Sequence, residues 1–246
     1  MNRADARPPL VLIHGAQQES FCWAALARSL GDGRRVLAPD LPGHGRDRSP
    51  PCARVEDWAD WLLTWLDARG IAEATLAGHS LGSLIALEVA ARQPQRVVKL
   101  ILIGTAAPMR VANRLLQTAA TNPVKAMAIV NRGSHSVRGW LAAPSPTGLW
   151  SPGMNLRLME RQRPELLAVE LAACNDYAGA LAAAGRVSCP TLVVTGSEDR
   201  MTPPESAQPL IARLAAGQVL HLPGVGHNVM AEAPGALAAA LERFLA

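Results

Sequence analysis

The chain reads as an α/β protein, a mostly parallel central sheet with helices on both faces and a helical cap inserted into it. Short runs rich in Val, Ile and Leu alternate with longer helical patterns, as strands joined by crossover helices do. The runs are continuously apolar rather than alternating, as in strands covered on both faces. Across residues 106–186 the alternation stops and helical patterns take over.

The strand-like runs are Leu10 to Ile13, Val36 to Ala38, Ala74 to Ala77, Val97 to Ile103, Thr191 to Thr195 and Gln218 to Leu222. Between Val55 and Arg69, the positions Val55, Trp58, Leu62, Trp65 and Leu66 recur at helical spacing, and Gly70 stands where a left-handed cap falls. The Trp58, Trp61 and Trp65 set on this helix reads as core packing rather than a membrane face. Leu81 to Arg92 is a second helix. After Thr202, Pro203 and Glu205 predict a capping-box start to a helix reaching about Leu214, and the last helix runs from Pro234 to Ala246. These runs place the core in residues 1–105 and 187–246. The cap, residues 106–186, has helical patterns at Arg110 to Ala120 and Pro123 to Asn131, then a Gly, Pro and Ser-rich stretch containing Trp140 and Trp150. An insertion at the strand ends reads as a cover over a site.

Composition narrows the function. The chain has 246 residues, 49% hydrophobic and 18% charged, enough for one sizeable core. A net charge of +4, almost all of its basic part arginine, is too mild and scattered for nucleic acid, and 4% aromatics provide no base-stacking platform. The polar start lacks a signal peptide's apolar run, and no segment has eighteen uninterrupted apolar residues, so a soluble cytoplasmic protein without a membrane partner is expected. Cys22, Cys52, Cys174 and Cys189 form no C-x-x-C pair and read as free thiols. No histidine pair or carboxylate cluster suggests a metal, and Gly31-Asp32-Gly33 lacks the context of a dinucleotide fingerprint.

The chemistry concentrates in Gly78-His79-Ser80-Leu81-Gly82, between a strand and a helix. Glycines on both sides remove side chains that would clash in a sharp turn, so Ser80 projects its hydroxyl above the sheet. A serine hydroxyl needs a base to take its proton as it attacks. His227, in the glycine-flanked loop Pro223-Gly224-Val225-Gly226-His227 after the last strand, can supply it. A carboxylate must orient that imidazole, and Asp199, in Gly196-Ser197-Glu198-Asp199, is preferred to Glu198 on motif order. The segment after the preceding strand, Gly104-Thr105-Ala106-Ala107-Pro108, contains no acid. The backbone amides of Leu81 and Ala16 are the candidate oxyanion donors. Gln17, Met127, Trp140 and Trp150 are the candidates for substrate contact, although a solvent-facing loop position suits Gln17 and Gln18 better. His14 and His44 read as loop-holding residues, and His79 points away from substrate.

With these residues placed, the chain closely resembles the α/β-hydrolase superfamily. The matching stretches are Leu12-Ile13-His14-Gly15, Asp40-Leu41-Pro42-Gly43-His44-Gly45, the Ser80 elbow, Gly196-Ser197-Glu198-Asp199 and Gly226-His227. The resemblance implies a serine hydrolase with a helical cap that needs no cofactor. It also implies a leading antiparallel hairpin, for which at most nine residues are available, and a glycine where Ser83 stands. Asp40 reads as part of a structural turn. Carboxylic esters, thioesters or lactones of small molecules are the expected substrates. Carbon-carbon hydrolysis or lyase chemistry on the same triad, or a non-catalytic ligand receptor, are the alternatives. Between Arg110 and Arg163 eight basic residues face a single acid, Glu160. They form a solvated helix face or, alternatively, a field steering anionic substrates. Oligomeric state is not legible.

Overall fold

A computed structural model describes residues 7–30, 33–141 and 150–246. Gly31-Asp32 of the rejected dinucleotide pattern, most of the polar start and residues 142–149 of the Gly, Pro and Ser-rich stretch lie outside these. Six strands, β1 (Leu10–Ile13), β2 (Val36–Leu37), β3 (Ala74–His79), β4 (Val97–Ile103), β5 (Thr191–Gly196) and β6 (Gly217–Leu222), form one sheet in the order 2-1-3-4-5-6. All pairings among the described strands are parallel, so no leading antiparallel strand occurs there.

That order positions the site. The chain leaves β1 outward to β2, then returns to place β3 on the other side of β1. Connections after β1 and β3 therefore diverge, the arrangement that in open α/β sheets puts sites at the carboxyl ends of the strands. Loops after β5 and β6 end at the same edge.

Two apolar layers clamp the sheet. On one face pack α2 (Val55–Asp67) and α3 (Leu81–Arg92), with Trp58, Leu62 and Leu66 fully buried. Each such side chain contributes about 1.5–3 kcal/mol of burial. On the other face lie α1 (Ala24–Ser29) and α12 (Pro234–Leu245). Helix α3 is buried over Leu81 to Ala91, as its nearly all-apolar sequence requires. Helix α2 ends two residues before Arg69, and Gly70 takes φ +63° as its capping role predicts.

Between β4 and β5 lie α4 (Asn113–Thr121), α5 (Pro123–Gly133), α6 (Val137–Leu141), α7 (Ser151–Glu160), α8 (Leu166–Asp176) and α9 (Ala180–Ala184). They have a small core of their own, including Met127, Met159, Leu167 and Leu171, against which Ala16 packs.

One helix expectation fails. Pro203 to Leu214 is not a capping-box helix but a 3₁₀ turn, Pro204–Ala207, followed by α10 (Gln208–Ile211). The Thr202 hydroxyl that would cap it is bonded to Asp199 and His227 instead. The short α11 (Val229–Glu232) precedes α12.

Candidate active site

Ser80 sits at φ +53°, ψ −119°, a conformation costing a non-glycine residue of order 1–3 kcal/mol. Its surroundings enforce it. A Cβ on Gly78 would lie 2.0 Å from the Gly82 carbonyl oxygen, and one on Gly82 would lie 2.3 Å from that of Ile13. Only glycines let β3, the elbow and the loop after β1 approach this closely. The Ser80 amide donates to the Ile103 carbonyl at 2.9 Å, tying the elbow to β4. Ser83, at the position where the family favours glycine, donates its hydroxyl to the Ser80 carbonyl at 2.5 Å and pairs with Thr105 at 2.9 Å. Ser80 Oγ itself makes no hydrogen bond among the described residues.

His227 is 4% exposed, and its Nδ1 lies 2.8 Å from Asp199 Oδ2. Asp199 also accepts the amides of Met201 and Thr202 on Oδ1, both at 2.8 Å, and the Thr202 hydroxyl on Oδ2 at 2.8 Å. Burial alone would raise this carboxyl's pKa, but the adjacent His227 and the Thr202 bonds hold it below the ordinary carboxylate value. An ionised Asp199 fixes the imidazole proton on Nδ1, leaving the Nε2 lone pair free to act as a base. Gly104, at φ +57°, makes room for the ring, since a Cβ there would lie 2.9 Å from His227 Nδ1. His79 braces the same loop, its Nε2 3.0 Å from the His227 carbonyl and its ring 4.6 Å from the His227 ring. Burial, reinforced by His227, lowers the His79 pKa to about 3, so it stays neutral.

The loop after β1 stands directly against the elbow. A Cβ on Gly15 would lie 3.2 Å from Ser80 Cβ and 2.9 Å from His79 Nδ1. Neither the Ala16 amide nor the Leu81 amide is paired among the described residues. The Leu81 amide directly follows Ser80 in the chain, and the Ala16 amide follows Gly15, which packs against the Ser80 side chain.

Other candidate positions fall differently. Glu198 turns away, its carboxylate accepting the Val137 amide at 2.9 Å. Gln17 is not solvent-facing: it is fully buried, at φ +55°, and its Nε2 donates to the Met159 and Arg163 carbonyls. Gln18 is buried too and donates to Asn155 at 2.5 Å. Both turn inward because carbonyl and amide acceptors on α7 and just beyond it demand donors there. Met127 is packed among apolar neighbours. Trp140 and Trp150 pack edge to face at 5.3 Å. Trp150 lines an outer cavity of ≈ 570 Å³ with Ser136, Leu222 and Val225, and none of Ser80, Asp199 and His227 lines it. The structure therefore brings Ser80, Asp199, His227, Ala16 and Leu81 to the carboxyl ends of the strands, while Trp150 lines the outer cavity.

His14 and His44 hold loops, as expected. His14 Nδ1 donates to the Gly15 carbonyl at 2.9 Å and its Nε2 accepts the Leu41 amide at 3.0 Å. Asp40 accepts the Ser20 and Arg46 amides in a tight turn. Arg157 pairs with Glu160, and Arg161 contacts Glu19, so the basic surplus counted in the sequence is partly neutralised. Among the described residues no group of His, Cys, Asp and Glu is arranged to hold a metal, and no helix is long and apolar enough to cross a membrane. Sequence reasoning missed Thr202, which touches both Asp199 and His227. Its place three residues after an acid was the available signal, read there as a helix cap.

Comparison with known proteins identifies the family. Residues 10–240 match the model of the alpha/beta hydrolase family. A pimeloyl-[acyl-carrier protein] methyl ester esterase of Aromatoleum aromaticum is 33% identical over 240 residues, covering 90% of this chain and 91% of its own. A haloalkane dehalogenase of Mycolicibacterium paratuberculosis is 30% identical, covering 88% and 73%. Among solved structures, a thermophilic esterase superposes with a TM-score of 0.82 at 25% identity, covering 98% of this chain and 90% of its own.

Proposed function

The chain belongs to the alpha/beta hydrolase family, and from that membership we propose that it cleaves carboxylic esters of small molecules through Ser80, His227 and Asp199. The observation that carries this reading is the Asp199–His227 contact of 2.8 Å at the same sheet edge as the strained Ser80 elbow.

Ser80 Oγ attacks the ester carbonyl while His227 Nε2 takes its proton. The oxyanion receives the Ala16 and Leu81 amides, each such donor contributing about 2.7–4 kcal/mol in the transition state. His227 returns the proton to the departing alcohol, leaving an acyl ester on Ser80. It then deprotonates a water that attacks this ester, releasing the acid and restoring the serine. The steps use only side chains, backbone amides and water.

Serine also separates this chain from dehalogenation. Displacing a halide with an alkoxide would leave a serine ether, which water does not cleave, whereas a carboxylate nucleophile leaves a hydrolysable ester. Residues 106–186 are the proposed cap. Arg157 and Arg161 pair with carboxylates, which weakens the field this part of the chain could use to steer anionic esters. The four free cysteines suit a reducing cytoplasmic setting.

A fluorophosphonate probe and short p-nitrophenyl esters test the reading together. Labelling of the intact protein, lost in Ser80→Ala along with ester turnover, is expected. Unlabelled protein, or labelling that survives in Ser80→Ala, contradicts it. Labelling without turnover of any ester would favour carbon-carbon bond cleavage on the same residues.

A further inference from the structure

We propose that Glu170, on the inserted helix α8, is a positioning residue that sets the oxyanion amide of Ala16 from across the boundary with the core. The inference rests on the ester-hydrolase reading above. Glu170 is fully buried, and its Oε2 accepts the Gln17 amide at 2.7 Å. That bond fixes the peptide plane immediately after Ala16. It holds Gln17 at φ +55°, a conformation that a non-glycine residue keeps only when its surroundings over-determine it. The Gln17 side chain adds bonds from its Nε2 to the Met159 and Arg163 carbonyls. From the opposite side, His14 holds the Gly15 carbonyl.

A bare carboxylate one peptide from the oxyanion would oppose the negative charge that develops there. The structure answers with His44. Its Nε2 lies 3.0 Å from Glu170 Oε1, off the line of a straight hydrogen bond, and both side chains are fully buried. His44 Nδ1 faces the Pro42 carbonyl at 3.0 Å and must carry a proton to do so. A neutral ring would then aim the Nε2 lone pair at a carboxylate, so the ring is charged and the pair is neutral overall. Burial alone would lower the His44 pKa, but the Glu170 charge outweighs it and the net shift is upward.

The loop has no slack to absorb an error. Because Gly15 already touches the Ser80 and His79 side chains closely enough to exclude a Cβ, movement of the Ala16–Gln17 peptide alters the geometry at the nucleophile itself.

Three substitutions separate positioning from simple support. Glu170→Gln keeps an acceptor for the Gln17 amide and offers an amide hydrogen to a neutral His44. Glu170→Met fills the space without an acceptor. Glu170→Asp keeps the charge but draws the acceptor back by one methylene. The readout is kcat per active serine, titrated with the fluorophosphonate, on a short p-nitrophenyl ester. Glu170→Met and Glu170→Asp should lower it roughly 10- to 100-fold with KM changed less than about threefold, while Glu170→Gln retains it to within about threefold. A supporting role alone would lower the titratable fraction and the melting temperature and leave kcat per active serine unchanged. If Glu170→Met yields no folded protein, Glu170→Asp decides. Wild-type kcat per active serine in Glu170→Asp overturns the inference, as does a loss in Glu170→Gln equal to that in Glu170→Asp. Ser80→Ala is the control: residual turnover there would defeat the nucleophile assignment, whereas an inactive Ser80→Ala beside a fully active Glu170→Asp defeats only the role of Glu170.

Discussion

Asp199→Asn should slow ester hydrolysis by about 10⁴-fold, and the hydrogen bonds around the carboxylate show why. Oδ1 accepts two backbone amides, from Met201 and Thr202, which cannot turn into acceptors. An asparagine here must therefore keep its oxygen on that side and present its NH₂ group to His227 Nδ1. The imidazole then accepts at Nδ1 and carries its proton on Nε2, the nitrogen that has to receive a proton from Ser80. The base is blocked by tautomer rather than by distance. A loss of about 10⁴-fold corresponds to about 5.5 kcal/mol of transition-state stabilisation. The assay is kcat/KM for p-nitrophenyl acetate near pH 8, normalised to folded protein by circular dichroism. Because Asn is isosteric and the Thr202 hydroxyl can reorient, the fold should survive. A folded Asp199→Asn variant within tenfold of wild type would refute the assignment of this carboxylate to the imidazole.

Glu198→Gln, by contrast, should keep kcat within about threefold, since among the described residues the Glu198 carboxylate accepts only the Val137 amide. A loss on the scale of Asp199→Asn would reverse the choice between the two acids. Gly82→Ala should abolish soluble expression or cost about 4 kcal/mol or more, because its Cβ would meet backbone oxygens of Ile13 and His14 at 2.3 and 2.6 Å. An unchanged denaturant midpoint would show that the elbow is less rigid than drawn. His44 also predicts a pH dependence. Its folded pKa lies above the unfolded value of about 6.5, so its stabilisation is fully present below that value and is lost as pH rises through the folded value. The melting temperature of wild type should fall more between pH 6.5 and 9 than that of Glu170→Gln, and parallel profiles would contradict the charged pair.

Most of this geometry was legible because it is written in local rules. Apolar runs marked the strands, β1 and β4 to the residue, because Leu10–Ile13 and the mostly apolar Val97–Ile103 suit a sheet covered on both faces. Two glycines around Ser80 announced a turn no other residue permits, and the order of acid and histidine after β5 and β6 followed from the strand count. What escaped depends on long-range partners. Thr202 looked like a helix cap because Ser and Thr hydroxyls serve both purposes, and only the folded loop shows which acceptor is nearer. Glu170 sits in the mostly apolar run Leu166 to Cys174, where a lone carboxylate gives no hint that it meets His44 and the Gln17 amide more than 120 residues away in sequence. Gln17 was misjudged for the same reason, its donors being claimed by carbonyls of Met159 and Arg163.

Mass spectrometry of the protein quenched during turnover of p-nitrophenyl acetate addresses the nucleophile most directly. An acetyl group on the peptide carrying Ser80, appearing within one turnover and discharged by water, is the predicted result. An unmodified Ser80 during active turnover, or an acyl group accumulating on another residue, would contradict the account.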